Sequence, residues 1–214
     1  MKSLVSFLAL CCIVIMLTVT NCQQGSESPG SGPDLSEWEF FVGNDSVDVN
    51  TVWTVQNGVI HCTGITNGYI RSATDYENYE LNLEWRWVEE AGNSGVLLHA
   101  QLPDRVWPLC VETQLRSGSA GDFVLMGGAM TVEDEEFMST GRFVVIPKMQ
   151  ESTEKAIGEW NSYRAVCVND EITCYVNDVL QNKGVQSSLV KGKICLQSEG
   201  APIEFRNIRI EPLQ

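Results

Sequence analysis

The sequence predicts an all-β fold, in which two antiparallel sheets pack face to face as the sandwich of a single domain. Short runs of alternating apolar and polar residues recur from about residue 34 onward, and the clearest is Tyr79–Val88, with Leu or Trp at every second position from 81 to 87. Turn dipeptides such as Asn57-Gly58 separate these runs. No segment keeps the period of a helix over three turns. Evenly spaced short strands with turns between them are typical of sandwiches.

Each predicted strand rests on alternation or on a bounding turn. The first hairpin turns at Asn57-Gly58, and two Asn-Asp pairs divide a later β-rich stretch into a meander. The predicted strand segments are 52–62, 79–88, 95–100, 110–116, 141–147, 159–184, 192–200 and 203–213. Residues 124–140 are the least regular part, so we expect a long surface loop there, carrying the acidic run 132–137.

The first 22 residues have the features of an export signal. Lys2 precedes a long apolar run, and the segment ends at Cys22. This end resembles a bacterial lipoprotein signal, which implies a lipid attached to Cys22; the alternative is ordinary secretion with Cys22 incidental. We therefore expect an exported protein, lipid-anchored to a bacterial membrane and periplasmic or outer-membrane.

The domain organisation follows from composition. Residues 23–33 are rich in Gly, Ser and Pro and predict a flexible tether that cannot bury a core. The folded domain is therefore expected at 34–214, a length that suits one domain with a sizeable core.

Charge and cysteine spacing exclude further classes of function. The net charge of −14 repels phosphate backbones, so we expect no nucleic-acid partner. The cysteines after residue 22 show neither CxxC nor Cys/His metal spacing and lie in apolar runs, which predicts buried thiols: Cys62, Cys110, Cys167, Cys174 and Cys195. A disulfide between Cys167 and Cys174, which flank a turn, is the less favoured alternative.

The strand at 110–116 has one apolar and one polar face. Alternation places Val111, Thr113 and Leu115 on the core side. Glu112, Gln114 and Arg116 then form a row on the other side, which makes them candidates for a functional site.

Four stretches together resemble a known family: "GNSGVLLHA", "WPLCVETQLRSGSAGDF", "GEWNSYRAVCVNDEITCYVND" and "GKICLQSEGAPIEFRNIRI". They look like the landmarks of the 3-keto-disaccharide hydrolase domain family, in the family's order. The resemblance implies a concanavalin A-like jelly-roll sandwich that is often lipid-anchored. It also implies action on glycosides whose C3 hydroxyl has been oxidised to a ketone.

Individual positions match the family's landmarks, and His99 stands where many relatives carry Arg. The matched positions are Asn93, Ser94, Gly95, Glu112, Gln114, Gly121, Asp122, Trp160, Asn161, Glu199 and Gly200.

The implied chemistry requires three groups. A ketone at C3 acidifies the hydrogen on C2, and the glycosidic oxygen on C1 can then leave by elimination, after which water adds. This needs a base at C2, a positive group or a metal at the enolate oxygen, and an acid for the leaving oxygen.

The candidates for these tasks lie mainly on the polar row. Glu112 is the candidate base, and Arg116 either stabilises the enolate or pairs with Glu112. His99 can face the side of the polar row and serve as acid, base or metal ligand. The remaining candidates bind the carbohydrate substrate: Gln114, Trp107 as a stacking platform, Asp122 and Arg71. A divalent metal ion is the one cofactor this chemistry allows for, and no metal ligand set is predicted.

Two alternative functions remain open. A non-catalytic carbohydrate-binding module is compatible with the same fold. A conventional β-glucanase is least favoured, because such enzymes on this fold carry acids that alternate along one strand, and neither position 110 nor position 114 beside Glu112 is a carboxylate.

Overall fold

The computed structural model describes residues 38–214. The predicted signal at 1–22, its lipidation site Cys22 and the tether at 23–33 lie outside the described residues. No helix within 38–214 is long and apolar enough to cross a membrane.

The described chain consists almost entirely of strands. A 3-10 turn at Val49–Thr51 follows the first of them. The strands are β1 (Trp38–Val42), β2 (Trp53–Gln56), β3 (Val59–Cys62), β4 (Gly68–Ser72), β5 (Tyr79–Trp87), β6 (Gly95–Ala100), β7 (Cys110–Gln114), β8 (Phe123–Met126), β9 (Gly128–Val132), β10 (Glu135–Ser139), β11 (Val144–Ile146), β12 (Asn161–Val168), β13 (Glu171–Val176), β14 (Val179–Gly184), β15 (Lys193–Ser198) and β16 (Ile203–Pro212).

These strands form two antiparallel sheets of seven strands each, and β9 and β10 form a separate hairpin. The first sheet has the order β1-β4-β15-β6-β7-β8-β11, and the second has the order β14-β13-β12-β5-β16-β3-β2. The predicted all-β sandwich of two antiparallel sheets is therefore confirmed.

The main core lies between the two sheets and is built from alternate residues of the strands. Along β5 every second side chain is buried, including Trp85 and Trp87, which pack edge to face with their ring centroids 5.9 Å apart. Burial of large apolar side chains of this kind stabilises a fold by roughly 1.5–3 kcal/mol each. Thr113 joins this interior through a hydrogen bond between its hydroxyl and that of Tyr163.

The cysteines of the described residues are buried and free. The thiols of Cys167 and Cys174 both belong to the core between the sheets and form no disulfide. The preferred prediction of buried thiols agrees with this arrangement.

A second apolar cluster covers the outer face of the first sheet, the face turned away from the second sheet. It contains Tyr69, Leu97, Ala100, Cys110, Met126 and Cys195, with Phe41 and Trp107 packed against them. Trp107 belongs to the segment 101–109 that connects β6 to β7 and folds over this face. The Asp104 carboxylate holds the segment in place, because it accepts hydrogen bonds from Tyr69 and Arg71 at 2.9 Å each. Part of the outer face is thus buried, and the uncovered remainder is available for a site.

The prediction of a long surface loop at 124–140 is wrong. This stretch contains β8 and the β9–β10 hairpin, whose turn residues Glu133 and Asp134 both have positive φ. The acidic residues occupy the tight turn and the exposed hairpin surface. Because they interrupt the alternation of apolar and polar residues, the sequence pattern did not indicate the strands on either side.

Candidate functional site

Glu112 lies in the middle of β7, on the outer face of the first sheet. It pairs with Leu97 of β6 on one side and with Val124 of β8 on the other. Its carboxyl group extends over Gly95, where an added Cβ atom would overlap the carboxyl group. The absence of a side chain at position 95 therefore makes room for the carboxyl group of Glu112.

The Glu112 carboxyl group is almost completely removed from solvent. The residue is 3% exposed, and its Oε1 atom has no hydrogen-bond partner among the described residues. Burial disfavours the ionised form of a carboxyl group. Burial, and to a smaller extent the negative charge of Glu199, raises the pKa of Glu112 from 4.5 to about 8. Glu112 is therefore mostly protonated at neutral pH, and its ionised form is a much stronger base than an ordinary carboxylate.

Two cavities meet beside Glu112. The first, which we call the apolar cavity, has a volume of about 150 Å³ and includes Glu112 in its lining. Its apolar lining consists of Trp107, Val124, Met126, Phe143 and Val145. The second, the polar cavity, has a volume of about 480 Å³, and Glu90, Arg116 and Ser117 contribute to it. Asn93 and Glu199 line both cavities, so the two adjoin, and we call them together the groove.

Glu199 supplies a second carboxyl group to the groove, at a position that the alternation of β7 could not reveal. It follows β15 directly, and isolated bridges join Asn93 to Glu199 and Gly200. Burial raises the pKa of Glu199, while a hydrogen bond from Asn93 and the charge of Arg116 act in the opposite direction. Neither position 110 nor position 114 carries an acid, as the sequence shows, and the second carboxyl group of the groove comes instead from Glu199, outside β7.

Gln197 is a buried amide that sequence reasoning missed. It is 2% exposed, and neither its amide nitrogen nor its amide oxygen has a partner among the described residues. The pairing of Leu196 with Val96 places Gln197 next to Gly95 on the outer face, on the opposite side of this glycine from β7. The Ser94 hydroxyl fixes this register by donating to the Gln197 carbonyl at 2.8 Å. The available signal in the sequence is a single amide in the apolar run of β15.

The side chains of Gln114 and Arg116, at the end of β7, line different cavities. Gln114 lines the apolar cavity with Glu112, and its Oε1 atom accepts from the backbone N–H of Arg116 at 3.1 Å. The strand ends at Gln114, so strand alternation no longer controls the direction of Arg116. Arg116 is exposed and lines the polar cavity, where its charge acts on Glu199.

Trp107, the predicted stacking platform, lines the apolar cavity. Its ring packs edge to face against Phe143, with the ring centroids 5.8 Å apart and an angle of 72° between the planes. Phe143 precedes β11, the edge strand of the first sheet, and was not identified from the sequence.

Asp122 and Arg71 are held by other groups and line neither cavity. The Asp122 carboxylate accepts a hydrogen bond from the backbone N–H of Lys148 at 2.8 Å, which ties the segment after β11 to the start of β8. Arg71 pairs with Asp104 and Glu39 and is thereby tied to the segment 101–109. The structure gives both residues a fold-stabilising contact.

The prediction that His99 faces the same side as Glu112 is wrong. His99 has a φ of 55°, and the pairing of β6 with β15 shifts register at this point, so alternation along β6 breaks. Its ring is buried edge-on against Tyr79 of the second sheet, with centroids 5.6 Å apart, and its Nδ1–H donates to the Leu189 carbonyl at 2.8 Å. Burial lowers the pKa of His99, and its ring lies in the interior between the sheets.

Among the described residues, the groove offers oxygen ligands to a metal ion but no cluster of metal-binding side chains. Within residues 38–214 no group of three or more His, Cys, Asp or Glu is arranged to hold a metal ion. A hard divalent cation can also use amide oxygens, and the groove offers such atoms from Asn93 beside the carboxyl groups of Glu112 and Glu199.

The groove thus brings together the buried carboxyl group of Glu112 and the half-buried carboxyl group of Glu199 on one face of a two-sheet sandwich. The chain belongs to the family of 3-keto-alpha-glucoside-1,2-lyase-like domains, whose model matches residues 27–211. This confirms the family that the sequence motifs resembled.

Solved structures support the fold. The chain is similar to a candidate glycosyl hydrolase from Parabacteroides distasonis, with 22% identity, a TM-score of 0.62 and coverage of 86% of this chain and 91% of that chain. It is also similar to a carbohydrate-binding module from Bacillus subtilis (12% identity, TM-score 0.57, 82% and 95% covered) and to a β-glucanase from Bacillus licheniformis (11%, 0.56, 87% and 96%). These likenesses confirm the concanavalin A-like jelly-roll sandwich. A comparison with curated protein sequences finds no match.

Proposed function

We propose that this protein cleaves glycosides whose C3 hydroxyl group has been oxidised to a ketone, with Glu112 as the base. Ionised Glu112 removes the proton from C2, the C2–H electron pair forms the C1=C2 double bond, and the C1–O bond breaks. The leaving oxygen takes a proton as it departs. Addition of water across C1 and C2 then completes net hydrolysis. The observation that carries the proposal is a buried carboxyl group with a raised pKa on the floor of an accessible groove.

The surroundings of Glu112 suit a base rather than a permanently charged group. When Glu112 accepts a proton it becomes neutral, and the neutral form is the one that burial favours. Proton transfer to Glu112 therefore relieves the free-energy cost of keeping its carboxylate away from water. A strong base is needed, since carbon acids next to a ketone are weak acids.

Other groups of the groove match the remaining tasks. The task at the oxygen on C3, where negative charge develops, is not assigned to Gln197, because this residue lines neither cavity. We assign the acid that protonates the leaving oxygen to Glu199, because burial raises its pKa. Arg116, in the polar cavity, can attract the negative charge of the enolate. Any divalent cation would supply a further positive charge at the same oxygen.

The test compares 3-keto-glucosides with their unoxidised parent glucosides, with and without a chelator. We expect cleavage of the keto sugars alone, and loss of turnover with retained binding in Glu112→Gln. Cleavage of the parent sugars instead would contradict the proposal and would favour a conventional glycosidase that uses Glu112 and Glu199 as a carboxyl pair. A rate that falls with chelator and returns with added Mg²⁺ or Ca²⁺ would identify the cation.

A non-catalytic carbohydrate-binding module is the second candidate. It is favoured by the Trp107–Phe143 pair in the apolar cavity and by the structural likeness to a carbohydrate-binding module. Sugar binding without release from any glycoside, together with only a modest loss of affinity in Glu112→Gln, would support this candidate over the enzyme.

The proposed location is outside the cytoplasm, with a lipid on Cys22. It is supported by the apolar run after Lys2 and by the polar tether that follows Cys22. Mass spectrometry of the mature N-terminus should find a lipid-modified Cys22, and Cys22→Ala should release the protein from the membrane fraction. An unmodified N-terminus would indicate ordinary secretion.

A further inference from the structure

We propose that the apolar cavity holds the leaving group of the substrate, and that the protein prefers glycosides of a flat, apolar alcohol over disaccharides. This inference rests on the proposed function, and it assigns the two cavities to the two parts of the glycoside. The sugar that carries the ketone occupies the polar cavity, and the group attached through the C1 oxygen lies against Trp107 and Phe143.

The two cavities differ in chemistry on either side of their junction. The polar cavity offers charged and hydroxyl groups from Glu90, Arg116 and Ser117. Such groups can donate to and accept from the hydroxyl groups of a sugar. Asn93 and Glu199 mark the junction, and Glu112 lies next to it. A glycoside that places C2 at Glu112 and its ring in the polar cavity must direct its C1 substituent toward the apolar cavity.

The apolar cavity has few groups that a second sugar could use. Its polar lining consists of Asn93, Glu112, Gln114 and Glu199, and Asn93 and Glu199 also belong to the polar cavity. The rest of its lining is Trp107, Val124, Met126, Phe143 and Val145. Hydroxyl groups pressed against these side chains would lose water without gaining hydrogen bonds. An apolar ring has no hydrogen bonds with water to lose, and its burial against these side chains is favourable.

Size and exposure support an aromatic ring in particular. A cavity of about 150 Å³ with apolar walls is large enough for benzene, and the apolar cavity has a volume of about 150 Å³. Phe143 is 54% exposed and Val145 is 55% exposed, although both are large apolar side chains at the mouth of this cavity. An exposed apolar patch that continues into a candidate active site is typical of a ligand-binding surface.

The experiment compares benzyl 3-keto-glucoside with methyl 3-keto-glucoside and with a 3-keto-disaccharide. Benzyl and methyl alcohols are leaving groups of similar acidity, so a difference in kcat/KM reports binding of the ring. We expect kcat/KM for the benzyl substrate to exceed the other two on the order of tenfold. Phe143→Ser should remove this preference, because it lowers kcat/KM for the benzyl substrate more than for the methyl substrate. Val145→Ser should also reduce the preference for the benzyl substrate.

Val55→Ser is the matched control, because Val55 is an exposed apolar residue on β2, the edge strand of the second sheet opposite to β14, and lines neither cavity. This variant should leave kcat/KM unchanged for all three substrates. Equal kcat/KM values for the three substrates, or an equal loss on all of them in Phe143→Ser, would overturn the inference while leaving the proposed function intact.

A binding measurement distinguishes failure of the proposed function from failure of the leaving-group inference. Calorimetric titration with unoxidised benzyl glucoside and methyl glucoside requires no turnover. If no keto sugar is cleaved, the proposed function fails, but tighter binding of the benzyl compound that Phe143→Ser abolishes would still support the leaving-group cavity. Equal binding of both compounds would overturn it.

Discussion

Replacing Glu112 by Gln should make the free energy of unfolding of the protein less sensitive to a rise in pH from about 4.5 to about 8. The folded protein keeps a proton on Glu112 up to about pH 8, whereas the unfolded chain releases it near 4.5. Because the folded state binds more protons over this range, its stability falls as pH rises from about 4.5 to about 8. The difference between the two pKa values corresponds to roughly 5 kcal/mol when complete and to roughly 3 kcal/mol between pH 5 and pH 8.

The assay is urea unfolding of both proteins at pH 5 and pH 8. The free energy of unfolding of Glu112→Gln minus that of the wild type should increase by roughly 3 kcal/mol between these pH values. Any constant cost of burying the glutamine amide cancels in this comparison. Glu136→Gln, at an exposed position on β10, should show no comparable increase. A difference that stays the same at both pH values would refute the conclusion that Glu112 is buried as a neutral acid.

Three further predictions concern the groove and the segment that covers the outer face. The rate of proton abstraction from C2, measured as hydrogen exchange with solvent deuterium, should rise with pH toward an apparent pKa near 8, because Glu112 must be ionised to act as the base of this step; an exchange rate that falls over this range would exclude that role. Gly95→Ala should lower kcat at least about tenfold while circular dichroism stays unchanged, since the added Cβ displaces the Glu112 carboxyl group; wild-type turnover would contradict this geometry. Asp104→Asn should destabilise the protein by about 1–2 kcal/mol in urea unfolding and increase protease cleavage within 101–109, because Arg71 and Tyr69 lose a charged acceptor. Unchanged stability and cleavage would show that the Asp104 contacts do not hold this segment.

Sequence reasoning placed the strand of Glu112 correctly, because alternation is a local property. One face of β7 is in the core and the other carries Glu112 and Gln114. The same reasoning failed at His99, since a register shift reverses the direction of its side chain. Arg116 lies beyond the end of the strand, and it lines the polar cavity rather than the apolar cavity that Glu112 lines.

The sequence by itself determined the type of fold, the family and the strand that carries Glu112, because side-chain alternation and motif order can be read from neighbouring residues. Only the tertiary structure decided that this strand face is buried, that Glu199 and Gln197 lie near Glu112, and that Phe143 closes the apolar wall. These residues come from β15, the turn after it and the segment before β11, which are distant from β7 in the sequence. The pKa of Glu112 depends on burial by all of these segments together, so no local pattern could have predicted it.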